Sequence, residues 1–275
     1  MNIILLFAFT FLSVPVHGRV IYSGSAFSSY TGEPENLFWN PAGMGKEGYL
    51  TSTHNYSGVT YGCLGVVKKV GDYRFGVGLQ SLYTGDMIKT NSTGGSEGEF
   101  SYYSIVPTLS TSYRKGGFAI GGKLVIPYSR TDVYTGYGVG VDVGVIYRAN
   151  KNFSFSFYGR NIGKQISGFV SEQEDFPFEA RFGGLYQRNE INFALEYSFP
   201  FGVSTSLNYG FNESFELIMG YNGGLRELRE GNGVDALSGL SLGFRTHYRE
   251  IVIDIGAVSY GVLGISKTIA IGYRI

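Results

Sequence analysis

The last nine residues of the chain read KTIAIGYRI (267–275) and alternate between two kinds of side chain. Every second position from Ile269 onward is large and apolar, whereas the positions between them carry Ala, Gly or Arg. A period of two is the pattern of a β-strand with one apolar face and one small or polar face. The same alternation runs through 239–248 and 251–258, so the end of the chain predicts three neighbouring strands.

Fourteen runs of this kind follow one another beyond about residue 48, and they predict an all-β protein. The runs lie at 49–55, 59–67, 73–82, 103–113, 117–127, 138–147, 153–160, 178–186, 190–199, 202–209, 213–221, 239–248, 251–258 and 267–275. Most of them have the length of about nine to eleven residues that suits a tilted membrane strand.

The connections between the runs point to a membrane barrel. Those after even-numbered runs are short, such as 68–72 and 249–250, whereas several after odd-numbered runs are long, such as 83–102 and 161–177. Short turns at one rim, long loops at the other and an even strand count are typical of bacterial outer-membrane barrels. We therefore predict a transmembrane antiparallel β-barrel of about fourteen strands over 49–275, surrounded by outer-membrane lipid.

The composition agrees with strands that meet an apolar environment. Charged residues make up 16% of the 275 positions, against roughly 25% in ordinary soluble domains. The 42 glycines argue against a mainly helical protein, since each interior Gly costs about 1 kcal/mol relative to Ala. A net charge of zero with no basic block excludes nucleic-acid binding, and the abundance of Tyr and Phe excludes disorder.

The N-terminus carries the pattern of a cleaved export signal. An apolar run covers 3–14, and Val16 and Gly18 occupy the −3 and −1 positions of a cut before Arg19. A transmembrane anchor is the alternative, but the run is shorter than the ~20 residues needed to cross a bilayer. We therefore predict a signal peptide over 1–18.

Alternate residues of each strand are expected to lie on opposite faces of the barrel wall. The row of Ile, Phe, Val, Leu and Tyr is expected to face lipid, and Cys63 is expected there because it shares a parity with Val59 and Val67. The row of Gly, Ser and charged residues is expected to face the lumen. Its charged members are Lys123, Asp142, Arg148, Arg160, Glu179, Arg181, Glu196, Arg245, Asp254 and Arg274. They form either an ion-pairing network that fills the barrel or a lining that conducts or selects a ligand.

Residues 19–48 do not alternate and are predicted to form a plug. Pro34 stands between Glu33 and Glu35, which suits the first turn of a helix with acids at its positive end. Pro41 disfavours helical geometry at the preceding residue, so we expect a short amphipathic helix and then a tight turn. The candidate plug or hatch residues are Leu37, Phe38, Trp39, Asn40, Pro41, Ala42 and Gly43. This segment is either a packed cap or a hatch that controls access to the lumen.

Several ordered motifs resemble the PorV/PorQ family of outer-membrane proteins, which is related to the FadL barrel. The motifs are Gly-Ser-Ala-Phe at 24–27, Trp-Asn-Pro-Ala-Gly-Met at 39–44, Gly-Arg-Asn-Ile-Gly at 159–163, Phe-Pro-Phe-Glu-Ala-Arg-Phe-Gly at 176–183 and Val-Ser-Tyr-Gly-Val-Leu-Gly at 258–264. The resemblance implies a fourteen-stranded FadL-like barrel and a possible place among type IX secretion components. The final Ile275 departs from the terminal aromatic residue that is common in outer-membrane barrels.

No motif points to catalysis, a metal or a cofactor. His17, His54 and His247 lack ligand spacing around them, and a hydrolase that pairs His247 with a lumenal Ser ranks last among the hypotheses. Two non-enzymatic functions remain. The first is support of protein export or surface attachment through secretion-system or surface proteins. The alternative is a FadL-like channel for hydrophobic small molecules, with the N-terminal segment as its hatch.

Overall fold

The structure, a computed structural model, describes residues 10–45, 48–56, 58–169, 175–228 and 234–274, and strands dominate it. Every hydrogen-bonded pair of neighbouring strands is antiparallel. The strands are β1 Gly48–Tyr56, β2 Val59–Val70, β3 Tyr73–Thr90, β4 Ser96–Lys115, β5 Phe118–Val125, β6 Tyr128–Thr131, β7 Tyr134–Arg148, β8 Phe153–Ser167, β9 Glu179–Arg188, β10 Ile191–Phe199, β11 Gly202–Asn212, β12 Phe215–Asn222, β13 Leu240–Tyr248, β14 Ile251–Ser259 and β15 Ile265–Arg274.

The sheet closes into a barrel of fourteen strands, as predicted. Strand β1 pairs with β15, and the ring is completed where β3 pairs with β4. Strands β5 and β6 lie end to end between β4 and β7 and count as one strand of the wall. Pro127, which has no N–H to donate, separates them, but the Gly138 N–H still donates to its carbonyl oxygen at 3.0 Å.

The predicted asymmetry of the two rims is also present. Two-residue turns join several strand pairs at one rim, which outer-membrane barrels place at the periplasmic side. These turns use left-handed backbone conformations, for example at Gly71 (φ 60°) and Asn189 (φ 51°). Strands β3 and β4 run beyond the predicted bounds of 73–82 and 103–113 and project from the opposite, outer rim as a long hairpin.

The two faces of the wall follow the alternation in most strands. In β7, Val139, Val141, Val143 and Val145 are exposed on the outside, whereas Asp142 between them is 1% exposed. Exposed Tyr side chains mark the periplasmic ends of strands, as expected for an aromatic girdle at the membrane interface. They are Tyr73, Tyr147, Tyr209, Tyr248 and Tyr273.

The prediction for Cys63 is wrong, because β2 has an apolar row on the lumen side. Cys63 and Val67 are buried against the plug residues Leu37 and Phe38, and it is Leu64 that faces outward. The plug is apolar at this place, so an apolar side chain is stabilised on either face of β2. Hydrophobicity therefore does not identify the lipid face in this strand.

Among the described residues, helical structure is confined to short segments, and some of these lie in loops of the outer rim, where 3-10 turns cover Gly223–Leu228, Val234–Leu237 and Gly261–Leu263. The others belong to the N-terminal segment inside the barrel. An α-helix covers Gly18–Tyr22, and 3-10 turns cover Pro34–Leu37 and Pro41–Gly43. The predicted amphipathic helix is thus a single 3-10 turn, because the two prolines leave too few residues between them for an α-helix. Among the described residues, no helix is long and apolar enough to cross a bilayer.

The substitution Val143→Arg tests the lipid-facing assignment. Val143 lies near the middle of β7 on the outer face, where an Arg is expected to lower the free energy of unfolding by about 2–4 kcal/mol. The matched control is Val133→Arg, since Val133 is 75% exposed in the turn before β7. Denaturant unfolding in lipid vesicles measures both, and equal effects of the two variants would contradict the assignment.

Candidate functional site

The N-terminal segment lies inside the barrel as a plug, which we define as residues 19–45. All seven candidate plug residues from Leu37 to Gly43 are buried. The wall makes room for them with glycine: a Cβ built on Gly65 or Gly78 would lie 2.5 Å from Leu37 Cδ2 or Phe38 Cε1. Glycine on the lumen face is therefore a steric requirement of the plug.

Asn40 organises the tight turn of the plug. Its side-chain oxygen accepts from the Ala42 N–H at 3.1 Å, and its Nδ2 donates to the Ser28 carbonyl at 2.7 Å. Pro41 begins the 3-10 turn that follows, where its missing N–H is tolerated. Any Cβ at Gly144 of β7 would collide with the Asn40 side chain, so this turn fits the wall closely.

Trp39 lies between two guanidinium groups of the wall. The Cζ atoms of Arg160 and Arg181 are each 4.6 Å from its ring centroid, and Tyr158 packs at 6.3 Å between ring centroids. Desolvated cation–π contacts of this kind stabilise by about 2 kcal/mol each. Trp39 is the only Trp of the chain, and it therefore reports optically on the position of the plug.

Basic side chains of the wall donate hydrogen bonds to main-chain carbonyls of the plug. Lys123 Nζ donates to the Phe38 carbonyl at 3.0 Å, and Arg181 donates to the Ser25 carbonyl at 3.1 Å. Arg114 donates to the Met44 carbonyl at 3.3 Å. Irregular backbone inside a barrel leaves carbonyl groups without secondary-structure partners, and these cations satisfy several of them.

Eight of the ten predicted lumen charges are buried, and they form three groups on the wall. Lys123 Nζ lies 2.5 Å from Asp142, Arg181 lies 2.5 and 2.6 Å from Glu179 and Glu196, and Arg245 lies 2.6 Å from Asp254. The eight are Lys123, Asp142, Arg160, Glu179, Arg181, Glu196, Arg245 and Asp254.

The remaining two predicted charges lie apart from these groups. Arg148 is exposed at the periplasmic end of β7, where it donates to the Thr31 hydroxyl of the plug at 3.2 Å. The side chain of Arg274 lies outside the part of the chain that the structure describes. Arg160 joins the group around Glu179 more loosely, at 3.8 Å.

The plug brings its own charges to the wall, and sequence reasoning missed them as site residues. Arg19 pairs with Glu33 at 2.8 Å and with Glu216 of β12 at 3.3 Å. Glu35 pairs with Arg245 at 2.5 Å. The parity of β12 could have identified Glu216, which lies on the inward row with Ile218. No periodic signal marks the plug charges.

His17 lies beside this charged cluster. One ligand-capable atom each of His17, Glu35 and Asp254 lies within 4.8 Å of the other two, so this is the group within the described part of the chain that could hold a metal ion. Burial lowers the pKa of His17, which keeps its ring neutral. Burial raises the pKa of Glu35, but Arg245 and, to a smaller extent, the other neighbouring groups together outweigh this effect, so the net pKa lies below its usual range and the carboxylate stays ionised.

The plug separates two cavities. On its outer side, a cavity of about 190 Å³ is lined mainly by apolar side chains, including Ile21, Phe201, Leu225, Val258 and Tyr260. At the periplasmic rim, an open vestibule of about 720 Å³ is lined by the polar side chains of the turns and by the plug-anchoring charges. A molecule that crosses the barrel from the outer cavity must therefore pass the plug.

Solved structures share this architecture. The toluene transporter TbuX of Ralstonia pickettii superimposes with a TM-score of 0.66 at 12% identity, covering 96% of this chain and 100% of its own. The toluene transporter TodX of Pseudomonas putida superimposes with a TM-score of 0.67 at 12% identity, and the match covers 96% of this chain and 99% of TodX. A FadL homologue of Pseudomonas aeruginosa superimposes with a TM-score of 0.63 at 11% identity, and the match covers 95% of this chain and 99% of the homologue.

The chain has the fold of the FadL-type outer-membrane barrels. Because the sequence identities are near 12%, this similarity shows the fold alone. The chain matches no protein-family model and no sequence of a curated protein. Membership of the PorV/PorQ family therefore stays a prediction from the motifs, whereas the location in the bacterial outer membrane follows from a closed FadL-type barrel with a lipid-facing apolar band.

The substitution Gly78→Val tests whether the wall glycines seat the plug. The new side chain would press on Phe38, and overpacking of this kind costs about 1–3 kcal/mol. We expect Trp39 fluorescence to shift to the red as the plug loosens. The matched control is Gly184→Val, because Gly184 lies on the lipid face and a Cβ there would make ordinary contacts with Phe155. An unchanged Trp39 spectrum in Gly78→Val would contradict the model.

Proposed function

We propose that this protein is a non-enzymatic channel that passes small hydrophobic molecules through the outer membrane, with the plug as its hatch. The observation that carries this proposal is the outer cavity beside Ile21, Val258 and Tyr260. Its volume of about 190 Å³ exceeds the roughly 150 Å³ of apolar cavities that bind benzene. Toluene transporters among the proteins of the same fold support the same substrate class.

The predicted removal of residues 1–18 would enlarge the apolar space. Val14 and Pro15 form part of the cavity wall, and Leu12 packs among Val106, Val125 and Phe176 in a neighbouring apolar cluster. A mature chain that begins at Arg19 lacks these three side chains. The outer cavity and the space beside Val125 would then both be larger in the chamber above the plug.

Passage from this chamber to the periplasm requires a shift of the plug. Leu37 and Phe38 are packed against glycines of β2 and β3, while Lys123 and Arg181 hold plug carbonyls. These contacts are made by side chains of the wall and not by its strand ladder, so one turn of the plug can move, at the cost of its own contacts, while the barrel keeps its strand pairing. The seven candidate plug residues are the moving part in this mechanism.

The substitution Val258→Trp tests the channel. Val258 is buried and lines the outer cavity, and an indole there fills much of the space. We expect uptake of radiolabelled toluene by cells that depend on this protein to fall about tenfold, which corresponds to a transport barrier about 1.4 kcal/mol higher. The matched control is Val203→Trp, because Val203 faces lipid. The channel would be refuted if cells with Val258→Trp, cells with Val203→Trp and cells that lack the protein all took up toluene at the same rate.

A second function, the docking of secretion-system or surface proteins, is favoured by the outer hairpin. Strands β3 and β4 have 18 and 20 residues, about twice the length that crosses a membrane. Their outer ends carry exposed Ile88, Lys89, Glu97 and Glu99. Long segments on a rigid scaffold commonly bind partners.

A photo-crosslinker at Ile88 tests this docking function in intact cells. Docking predicts one reproducible protein adduct at Ile88, which is 65% exposed on the hairpin. The control position is Ile253, which faces lipid on β14 and should give lipid adducts. If no protein adduct forms at Ile88, the docking function is contradicted. If toluene uptake is intact in the same cells, the channel remains as the function.

A further inference from the structure

The cluster around Arg19 and Arg245 contains more negative than positive charge. Its ion pairs join two guanidinium groups with four carboxylates, which belong to Glu33, Glu35, Glu216 and Asp254. The cluster therefore carries a formal charge of −2 while His17 is neutral. Glu33 and Glu216 reach the open vestibule, but Glu35 and Asp254 are buried, where excess negative charge is costly unless a further cation joins it.

Two buried polar atoms show where the missing cation would bind. Glu35 Oε2 and His17 Nδ1 lack hydrogen-bond partners, although these residues are only 4% and 3% exposed. The His17 and Glu35 ligand atoms lie within 4.8 Å of each other and of an Asp254 oxygen. A buried carboxylate oxygen without a partner is an unusual feature that a bound donor would explain.

The backbone at Gly18 lies beside this place. A Cβ built on Gly18 would lie 3.3 Å from the Cβ of Ala270, and Ala270 is the cross-strand partner of Asp254. The Arg19 side chain is fixed by Glu33 at 2.8 Å and by Glu216. These ion pairs would hold the Arg19 side chain in place when the chain before it is removed, which keeps its new amine near the cluster.

We propose that the α-ammonium group of Arg19, created when signal peptidase cleaves the Gly18–Arg19 bond, is bound by the carboxylates of Glu35 and Asp254. Hydrolysis adds one water, leaves a carboxylate on Gly18 and leaves an amine on Arg19 that is protonated at neutral pH. The ammonium group offers three N–H donors and brings the cluster to −1. The mature N-terminus then ties the plug, through Glu35, to the wall, through Asp254. This inference rests on the predicted cleavage and is independent of the channel function.

A divalent metal fits the same place less well. Arg245 already donates to both oxygens of Asp254, at 2.6 and 2.7 Å, and to Glu35 Oε1. A dication bound to these oxygens would lie next to that guanidinium group, which repels two charges twice as strongly as the single charge of an ammonium group. The only nitrogen ligand, His17, would leave with the signal peptide.

Protein purified from outer membranes in mild detergent provides the test. N-terminal sequencing should begin at Arg19. Reductive dimethylation at neutral pH should modify the α-amine about tenfold more slowly in the folded barrel than in the unfolded chain, a factor that corresponds to about 1.4 kcal/mol. Exposed Lys68 in the same sample calibrates the reagent. Glu35→Gln and Asp254→Asn should each speed the reaction of the folded protein, whereas Glu213→Gln in an exposed periplasmic turn should not.

Three outcomes would overturn the proposal. One is a mature chain that retains His17 or begins after Arg19. Another is an α-amine that reacts equally fast in the folded and unfolded protein, a comparison that needs only the wild-type chain if the variants fail to fold. The third is one equivalent of zinc or another divalent metal bound to the purified protein. Failure of the toluene uptake experiment would leave this inference untouched, because labelling does not require transport.

Discussion

The width of a fourteen-stranded barrel governs what lies inside it, because wall side chains alone do not fill so wide a lumen. A second layer of chain has to occupy the space, and its irregular backbone carries carbonyl groups that require donors. The lumen face meets both needs. Glycines such as Gly65 and Gly78 let the plug approach the wall, and Lys123 and Arg181 donate to its carbonyls.

The charges of the lumen fix the plug in one arrangement rather than adding greatly to stability. Buried ion pairs gain little net energy after desolvation, but breaking one leaves an uncompensated charge. Arg245 is bound on one side to Asp254 of the wall and on the other to Glu35 of the plug. A movement of the plug around Leu37 avoids this cost when these ion pairs stay intact, with the turns between them as the mobile part.

The fold was accessible from the sequence because alternation and loop lengths are local properties. The strand count and the inward position of residues such as Asp142 follow from a period of two, and the asymmetry of the rims follows from the loop lengths. The packing of the plug was not accessible, since it has no period. The orientation of Cys63 in the wall was not predictable either, because its apolar row packs on Leu37 and Phe38 of the plug instead of lipid. Arg19 and Glu35 meet Glu216 and Arg245 through contacts nearly 200 residues apart or more.

Hydrogen exchange of the plug amides in lipid nanodiscs tests the hatch most directly. With saturating toluene, the account predicts faster exchange around the turn from Leu37 to Gly43, because the ligand favours the state in which this turn moves. Exchange in the paired strands β10 and β11 should stay unchanged. Identical exchange of the turn with and without toluene, in protein that binds toluene, would contradict a hatch and leave the plug as a fixed cap.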